Sequence, residues 1–176
     1  MRRYTIVSHI DFRILTYMTT EPLAVSFRDY VASAGPDTYL PASAELRKTV
    51  PDGCFLDVMA MRLECVGRGR AQASLEVGQR HLNQAGVCQG GLVVALADAT
   101  AGWAARTALP SEARFVTLTM STNVVRAGRV GDVLWAEAVP RHLGRSTMVF
   151  ESAVRRGAEV SASVVAISTV TLMVLG

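Results

Sequence analysis

LVVALADATAGWAARTA, residues Leu92–Ala108, is the stretch whose reading decides the fold. Small residues dominate it: Ala95, Ala97, Ala99, Ala101, Gly102, Ala104 and Ala105. High alanine content without a β-branched majority predicts a helix. Only Asp98 and Arg106 are charged, and a helix this apolar on most sides is a buried one. Leu109-Pro110 ends it. A loop rich in Gly, Asn and Gln, residues 78–91, leads into it.

Strand patterns lie on both sides of the helix. Residues 70–77 set Ala71, Ala73, Leu75 and Val77 against Gln72, Ser74 and Glu76, a period of two. Residues 57–66 read as the hairpin partner, with Gly67-Arg68-Gly69 as the turn. Four more strands are predicted at 115–126, 130–141, 145–156 and 159–174. Their breaks are Ala127-Gly128, Leu143-Gly144 and Arg156-Gly157, of which the first and third are hairpin-like. The stretch Val164–Leu175 is full of Val, Thr and Ile and reads as a buried strand. The pattern is two strands, one long buried helix and a four-stranded meander. One helix against one antiparallel sheet is α+β. No internal repeat or low-complexity tract is visible.

The N-terminal third is different. Residues 26–34 predict a short helix stopped by Gly35-Pro36. Pro41 and Pro51-Asp52-Gly53 bracket a second short helix or loop, residues 43–49. Residues 1–17 lack periodicity. They read either as a spurious start, with Met18 as the initiator, or as an extension that packs on a partner. The organisation is an extension, 1–51, followed by a domain, 52–176.

Composition narrows the class. At 176 residues the chain fits one domain with a short appendage. Charged residues are 19%, below the usual quarter, which suggests that some surface is buried in an oligomer. The net charge is +3 and Lys48 is the sole lysine. Scattered arginines of this kind suit a small anionic ligand, and no basic arm for nucleic acid is present. Cys54, Cys65 and Cys88 have no metal-ligand spacing, and their odd number does not suggest a disulfide framework. Ser8, His9, Asp11 and Arg13 interrupt any secretory core, and no apolar run reaches membrane-spanning length. A cytoplasmic protein is the expectation, with no membrane partner and no metal.

Asp98 is the only charge between Leu82 and Ala105. A lone carboxylate in an apolar helix is costly, and such groups serve as general bases or nucleophiles. The alternative is that Asp98 faces solvent or pairs with Arg106. Gln89-Gly90-Gly91 stands at the helix start, where backbone N–H groups lack intrahelical partners and can bind an oxyanion. Gly91 and Asp98 share a helical face but lie roughly 10 Å apart along the axis.

The run from His81 through Asn83, Gly86, Gln89, Gly90 and Gly91 to Leu96-Ala97-Asp98 resembles the hotdog-fold acyl-CoA thioesterases of the phenylacetate-pathway type. Their pattern is H-x-N-x-x-G-x-x-H-G-G, with an acidic residue eight positions after the first glycine of the pair. Phe115-Val116-Thr117, Val125-Arg126-Ala127 with Gly131-Asp132, and Gly144-Arg145-Ser146 extend the resemblance over about residues 52–174. It implies a long central helix wrapped by a curved antiparallel sheet, assembled as a homodimer and often a homotetramer. It also implies an active site at the dimer interface, with Asp98 of one subunit facing the Asn83–Gly90 loop of the other. Gly90 N–H would polarise the thioester carbonyl. Asp98 would attack or activate water, and Asn83 and Thr117 would position it. Coenzyme A would enter as part of the substrate, with no separate cofactor.

One departure stands out: Gln89 replaces the family histidine. Glutamine hydrogen-bonds but does not titrate, which keeps open a second reading, a non-catalytic acyl-CoA binder. A hotdog dehydratase, which needs a histidine paired with a carboxylate, ranks last. His81 reads either as a brace for the loop or, with Gly91, as a substrate-binding group. Cys88 reads as a small buried hydrophobe and His142 as a surface residue. Among Arg126, Arg129, Arg141 and Arg145, the first and last sit in family-like motifs and are the better candidates for the phosphates of coenzyme A. Trp103 and Phe115 could shape an acyl pocket.

Overall fold

The alanine-rich stretch forms a single helix, Gly90–Ala108, lying across one face of a seven-stranded antiparallel sheet. The computed structural model describes residues 25–175; the expectations about residues 1–17 and Met18 lie outside the described residues. In chain order the elements are α1 (Phe27–Tyr30), β1 (Leu40–Pro41), α2 (Ala44–Arg47), α3 (Phe55–Val58), β2 (Arg62–Gly67), β3 (Arg70–Glu76), a 3-10 turn (Gln79–His81), α4 (Gly90–Ala108), β4 (Arg114–Val124), β5 (Val133–Leu143), β6 (Thr147–Arg156) and β7 (Val164–Leu175). The predicted α+β class and the hotdog architecture hold.

Small residues face each other across the helix–sheet interface. Ala97, Ala101, Ala104 and Ala105 of α4 are buried, and so are Ala71, Ala73, Ala136 and Ala138 of β3 and β5. With no long side chains between them, helix and sheet can approach closely. Larger groups fill the flanks: Leu96, Leu134, Phe150 and Leu172 are fully buried, each contributing about 1.5–3 kcal/mol by leaving water. The C-terminal turn of α4 is tied to the β2–β3 turn, where Gly69 N–H donates to Thr107 Oγ1 at 2.8 Å.

Three expectations need correction. The predicted strand 57–66 begins only at Arg62. Before it, the Asp57 carboxylate accepts from Gly53 N–H at 2.8 Å and holds the helical turn α3, which ends as Ala60 takes a left-handed φ of 55°. The helix expected over 26–34 is one turn, capped by Ser26 Oγ accepting from Asp29 N–H and closed at Val31. The last four strands are not a simple meander, since the sheet order is β1-β2-β3-β5-β6-β7-β4. α4 carries the chain across the whole sheet, so β4 enters at the far edge beside β7. The Ala127-Gly128 break is therefore a crossover to β5 and not a hairpin. The Leu143-Gly144 and Arg156-Gly157 breaks are the hairpins.

Residues 25–51 share the core of the domain. Phe27, Val31, Ala42 and Leu46 are buried in the same cluster as α4 and the sheet, and β1 pairs with β2. No helix among the described residues is long and apolar enough to cross a membrane.

Candidate functional site

The candidate residues fall into two clusters on one chain. The first surrounds the start of α4. Asn83 Oδ1 accepts from Ala85 N–H at 2.9 Å and Val87 N–H at 3.4 Å, folding the loop into a tight turn. Gly86 completes the turn with a φ of 74°, a conformation that favours glycine. Gln89 is the exposed N-cap and makes no side-chain capping bond. The N–H groups of the first turn, at Gly90 and Gly91, have no intrahelical acceptor. A Cβ added at either glycine would meet nothing within 4 Å, so the space before these donors is open. A groove of about 330 Å³ lies there, lined by Val87, Gly90, Val93, Val125, Arg126 and Gly128 among others.

The second cluster lies farther along α4. Asp98 is half-buried, and its Oδ1 accepts from Thr117 Oγ1 at 2.8 Å. Thr117 sits on β4 at the edge of the sheet and pairs with Leu172 of β7. Asp98 does not pair with Arg106. That guanidinium donates to the Ala113 carbonyl at 2.8 Å and stacks 4.7 Å from the Phe115 ring centre. The eight residues from Gly90 to Asp98 span about 12 Å along the helix axis. Within one chain the Asp98 carboxylate and the open N–H groups of Gly90 and Gly91 therefore lie apart.

The arginines divide in the same way. Arg126 donates to the Val164 carbonyl at the start of β7. Arg145 lies in the β5–β6 turn, where Ser146 O accepts from Val174 N–H at the end of β7. Ten residues of strand separate the two ends of β7, roughly 33 Å. Arg126 therefore belongs with the Gly90 cluster, and Arg145 lies at the same end of the sheet as Thr117. Arg141 is engaged by Glu151 at 2.8 Å. Arg129 is exposed beside Asp132, which accepts from its backbone N–H.

His81 is 3% exposed. Its Nδ1 accepts from Gly78 N–H at 3.0 Å, Arg80 Nε approaches its Nε2 at 3.1 Å, and its carbonyl accepts from Gln89 N–H at 2.8 Å. The ring thus bonds within its own turn, and His81 lines a cavity separate from the Gly90 groove. Cys88 is buried, and burial, helped by Asp132, pushes its thiol up and away from the reactive thiolate. His142 is exposed and Trp103 is buried in the core. Among the described residues, no group of three or more His, Cys, Asp or Glu side chains could hold a metal ion.

Sequence reasoning missed the wall formed by Val125 and Gly128. The signal was present in the Ala127-Gly128 break. Cys88 N–H donates to Gly128 O at 2.8 Å, and a Cβ at Gly128 would come within 3.1 Å of Cys88 Cβ. The crossover is pinned to the site loop there, and the close approach needs a glycine.

Residues 85–163 match the family model described as the thioesterase superfamily. A Deinococcus radiodurans protein named as an esterase is 28% identical over 130 residues, 73% of this chain and 86% of that one. A Streptococcus mutans protein solved bound to acetyl CoA is 28% identical with a TM-score of 0.59, over 66% of this chain and 89% of that one. A Haemophilus influenzae thioesterase, 24% identical over 77% of this chain and 92% of that one, shares the fold with a TM-score of 0.69. The chain thus shares the hotdog fold of that thioesterase, and its residues 85–163 are similar to the thioesterase superfamily.

Proposed function

We propose that the protein hydrolyses acyl-CoA thioesters to a free acid and coenzyme A, at a site shared by two copies of the chain. The observation that carries this reading is the Thr117–Asp98 hydrogen bond at the sheet edge, about two helical turns from the open N–H groups of Gly90 and Gly91. Two-fold pairing along β4 would bring the Asp98 cluster of one copy to the Gly90 groove of the other. The arrangement would then supply each part that acyl transfer needs. Gly90 N–H, at the positive end of α4, binds the developing oxyanion, and Gly91 leaves room for the thioester to approach. Asp98 takes the proton of an attacking water or attacks directly. Thr117 holds the carboxylate and the water in line. Asn83 shapes the loop that orients the thioester, and the free Gln89 side chain offers it a hydrogen bond. Arg145 of the Asp98 copy and Arg126 of the Gly90 copy would approach the same site from two sides and take the phosphates of coenzyme A. The chemistry uses side chains and backbone alone.

The sheet face turned away from α4 exposes Ile167 and Met173. It offers a second contact through which dimers would pair into a tetramer.

The test is free-thiol release from an acyl-CoA panel that varies chain length and aromatic character. Asp98→Asn keeps the hydrogen bond from Thr117 and removes the base. Its kcat should fall by about 10²-fold or more. Equal rates would remove Asp98 from the mechanism. Tight acyl-CoA binding without turnover by the wild type would favour the binder, the reading that Gln89 motivates.

A further inference from the structure

The oxyanion end of α4 has no side-chain cap. What holds it is the loop before it, and the loop is fastened by one buried ring. His81 N–H donates to Gly78 O at 3.0 Å, and Gly78 N–H returns to His81 Nδ1 at 3.0 Å. Next in the chain, Leu82 and Cys88 form a bridge that closes the loop on itself. His81 O then accepts from Gln89 N–H at 2.8 Å, one residue before Gly90. The ring, its own main chain and the helix start thus form one continuous hydrogen-bonded chain.

The ring can play this part only when neutral. Both of its nitrogens face N–H donors, those of Gly78 and Arg80. A neutral imidazole keeps one nitrogen lone pair for a donor, and the imidazolium keeps none. Protonation would turn Nδ1–H against Gly78 N–H and break that part-buried hydrogen bond, worth about 0.5–1.5 kcal/mol. The surroundings oppose the cation as well. Burial first, and the Arg80 guanidinium second, hold the ring below the ordinary histidine range, against the carbonyls of Glu76 and Met59, which pull the other way. A cavity of about 600 Å³ gives water access to the ring. Charged side chains reach this cavity from each wall that carries them: Arg62 from β2, Glu76 from the end of β3 and Arg80 from the ring's own turn, whereas β5 presents only Val133.

We propose that neutral His81 is a positioning residue that locks the Gln89–Gly91 end of α4, and that acid unlocks it by forcing the ring off Gly78. Its catalytic consequence rests on the reading of Gly90 as the oxyanion donor; the unlocking itself does not. The sign follows from the direction of the shift. The lock is complete above the ordinary histidine value of about 6.5 and is lost as the pH falls through the lower value of the folded state.

Two measurements test this. In the first, kcat of the wild type is followed against pH, and it should lose about tenfold per unit below the midpoint of the ring. His81→Asn carries an amide oxygen that can take the Nδ1 hydrogen bond but does not titrate. It should retain a measurable rate with an acid limb that differs from that of the wild type, since Asp98 as base is common to both; an unchanged acid limb would overturn the proposal. The second needs no turnover. Hydrogen-exchange protection of residues 78–92, corrected for intrinsic rates, should fall at least about tenfold in the wild type between about pH 7.5 and about pH 5, while β5 and β6 keep theirs. Unchanged protection at 78–92 would overturn the lock whether or not the protein proves to be a thioesterase, and whether or not the variant folds.

Discussion

β6 and β4 are strands of similar length in the same sheet, both hydrogen-bonded to β7. In β6 the inward residues Met148, Phe150, Ser152 and Val154 are all buried, alternating with half-buried outward ones. In β4 not one residue is fully buried, although Thr117, Met120, Thr122 and Val124 point to the helix side through their pairing with the inward residues of β7. β6 keeps its period throughout and β4 keeps it from Met120 on, past the register slip after Thr117; only β6 has its cover. β6 is finished by this chain alone, its inner face under α4 and both edges paired. β4 has one paired edge and carries the Thr117–Asp98 hydrogen bond in the open. The comparison teaches that stability is concentrated where the single chain is complete, and the proposed chemistry where it is not.

The largest effect should come from the finished side. Phe150 is fully buried at the centre of β6. Phe150→Ala removes a whole aromatic ring from a site that the sheet cannot collapse to fill, and should cost about 3–5 kcal/mol of stability. Chemical denaturation of wild type and variant measures it. A loss below about 1 kcal/mol would mean that the β6 face is not the core it is taken to be.

On the open side the same logic gives a smaller and different loss. Thr117→Val keeps the shape and deletes the hydroxyl that donates to the carboxylate. Hydrogen bonds to charged groups are worth about 1.5–3 kcal/mol, so kcat should fall by about ten- to a hundredfold with little change in the melting temperature, because Thr117 is exposed. A fall in melting temperature at unchanged kcat would reverse the contrast between the strands and leave Thr117 a structural residue.

The two strands also mark what was legible in the sequence. The alternation of β3 and β6 and the alanine-rich helix can be read directly, because burial on one face imposes a period on the residues. The position of β4 cannot. A strand's pattern records which side is buried and not which strand lies beside it, so the crossing of α4 to the far edge left no mark in residues 114–124. The turn α3 escaped for a local reason: Asp57 closes it through Gly53 N–H, a bond between side chain and backbone that hydrophobic periodicity does not register. At the site, Asn83, Gly90 and Asp98 were legible as a spaced pattern. Their separation into two clusters was partly so, through the rise of a helix. The assignment of Arg126 and Arg145 to opposite ends of β7 was not, because it depends on the crossover.

The smallest effect on the folded chain should accompany the clearest effect on assembly. Leu118 is 53% exposed, in the middle of β4 where the register slips between Thr117 and Thr119. An exposed leucine beside a free strand edge is poor design for a solitary chain, since such edges pair with other chains unless charges block them. If β4 meets its counterpart in a second copy, Leu118 is covered there. Leu118→Glu would then bury an unpaired charge in that contact and raise the dimer dissociation constant by about tenfold or more, roughly 1.4 kcal/mol. The subunit itself should lose at most about 0.5 kcal/mol, as exposed positions usually do. Sedimentation across a concentration series separates the two quantities. On the proposed mechanism, thioesterase activity should fall in parallel with the dimer fraction, because neither cluster alone holds both Asp98 and the open N–H groups of Gly90 and Gly91. A variant that dissociates yet keeps its full rate per chain would show that one copy suffices, and that the openness of β4 has another purpose.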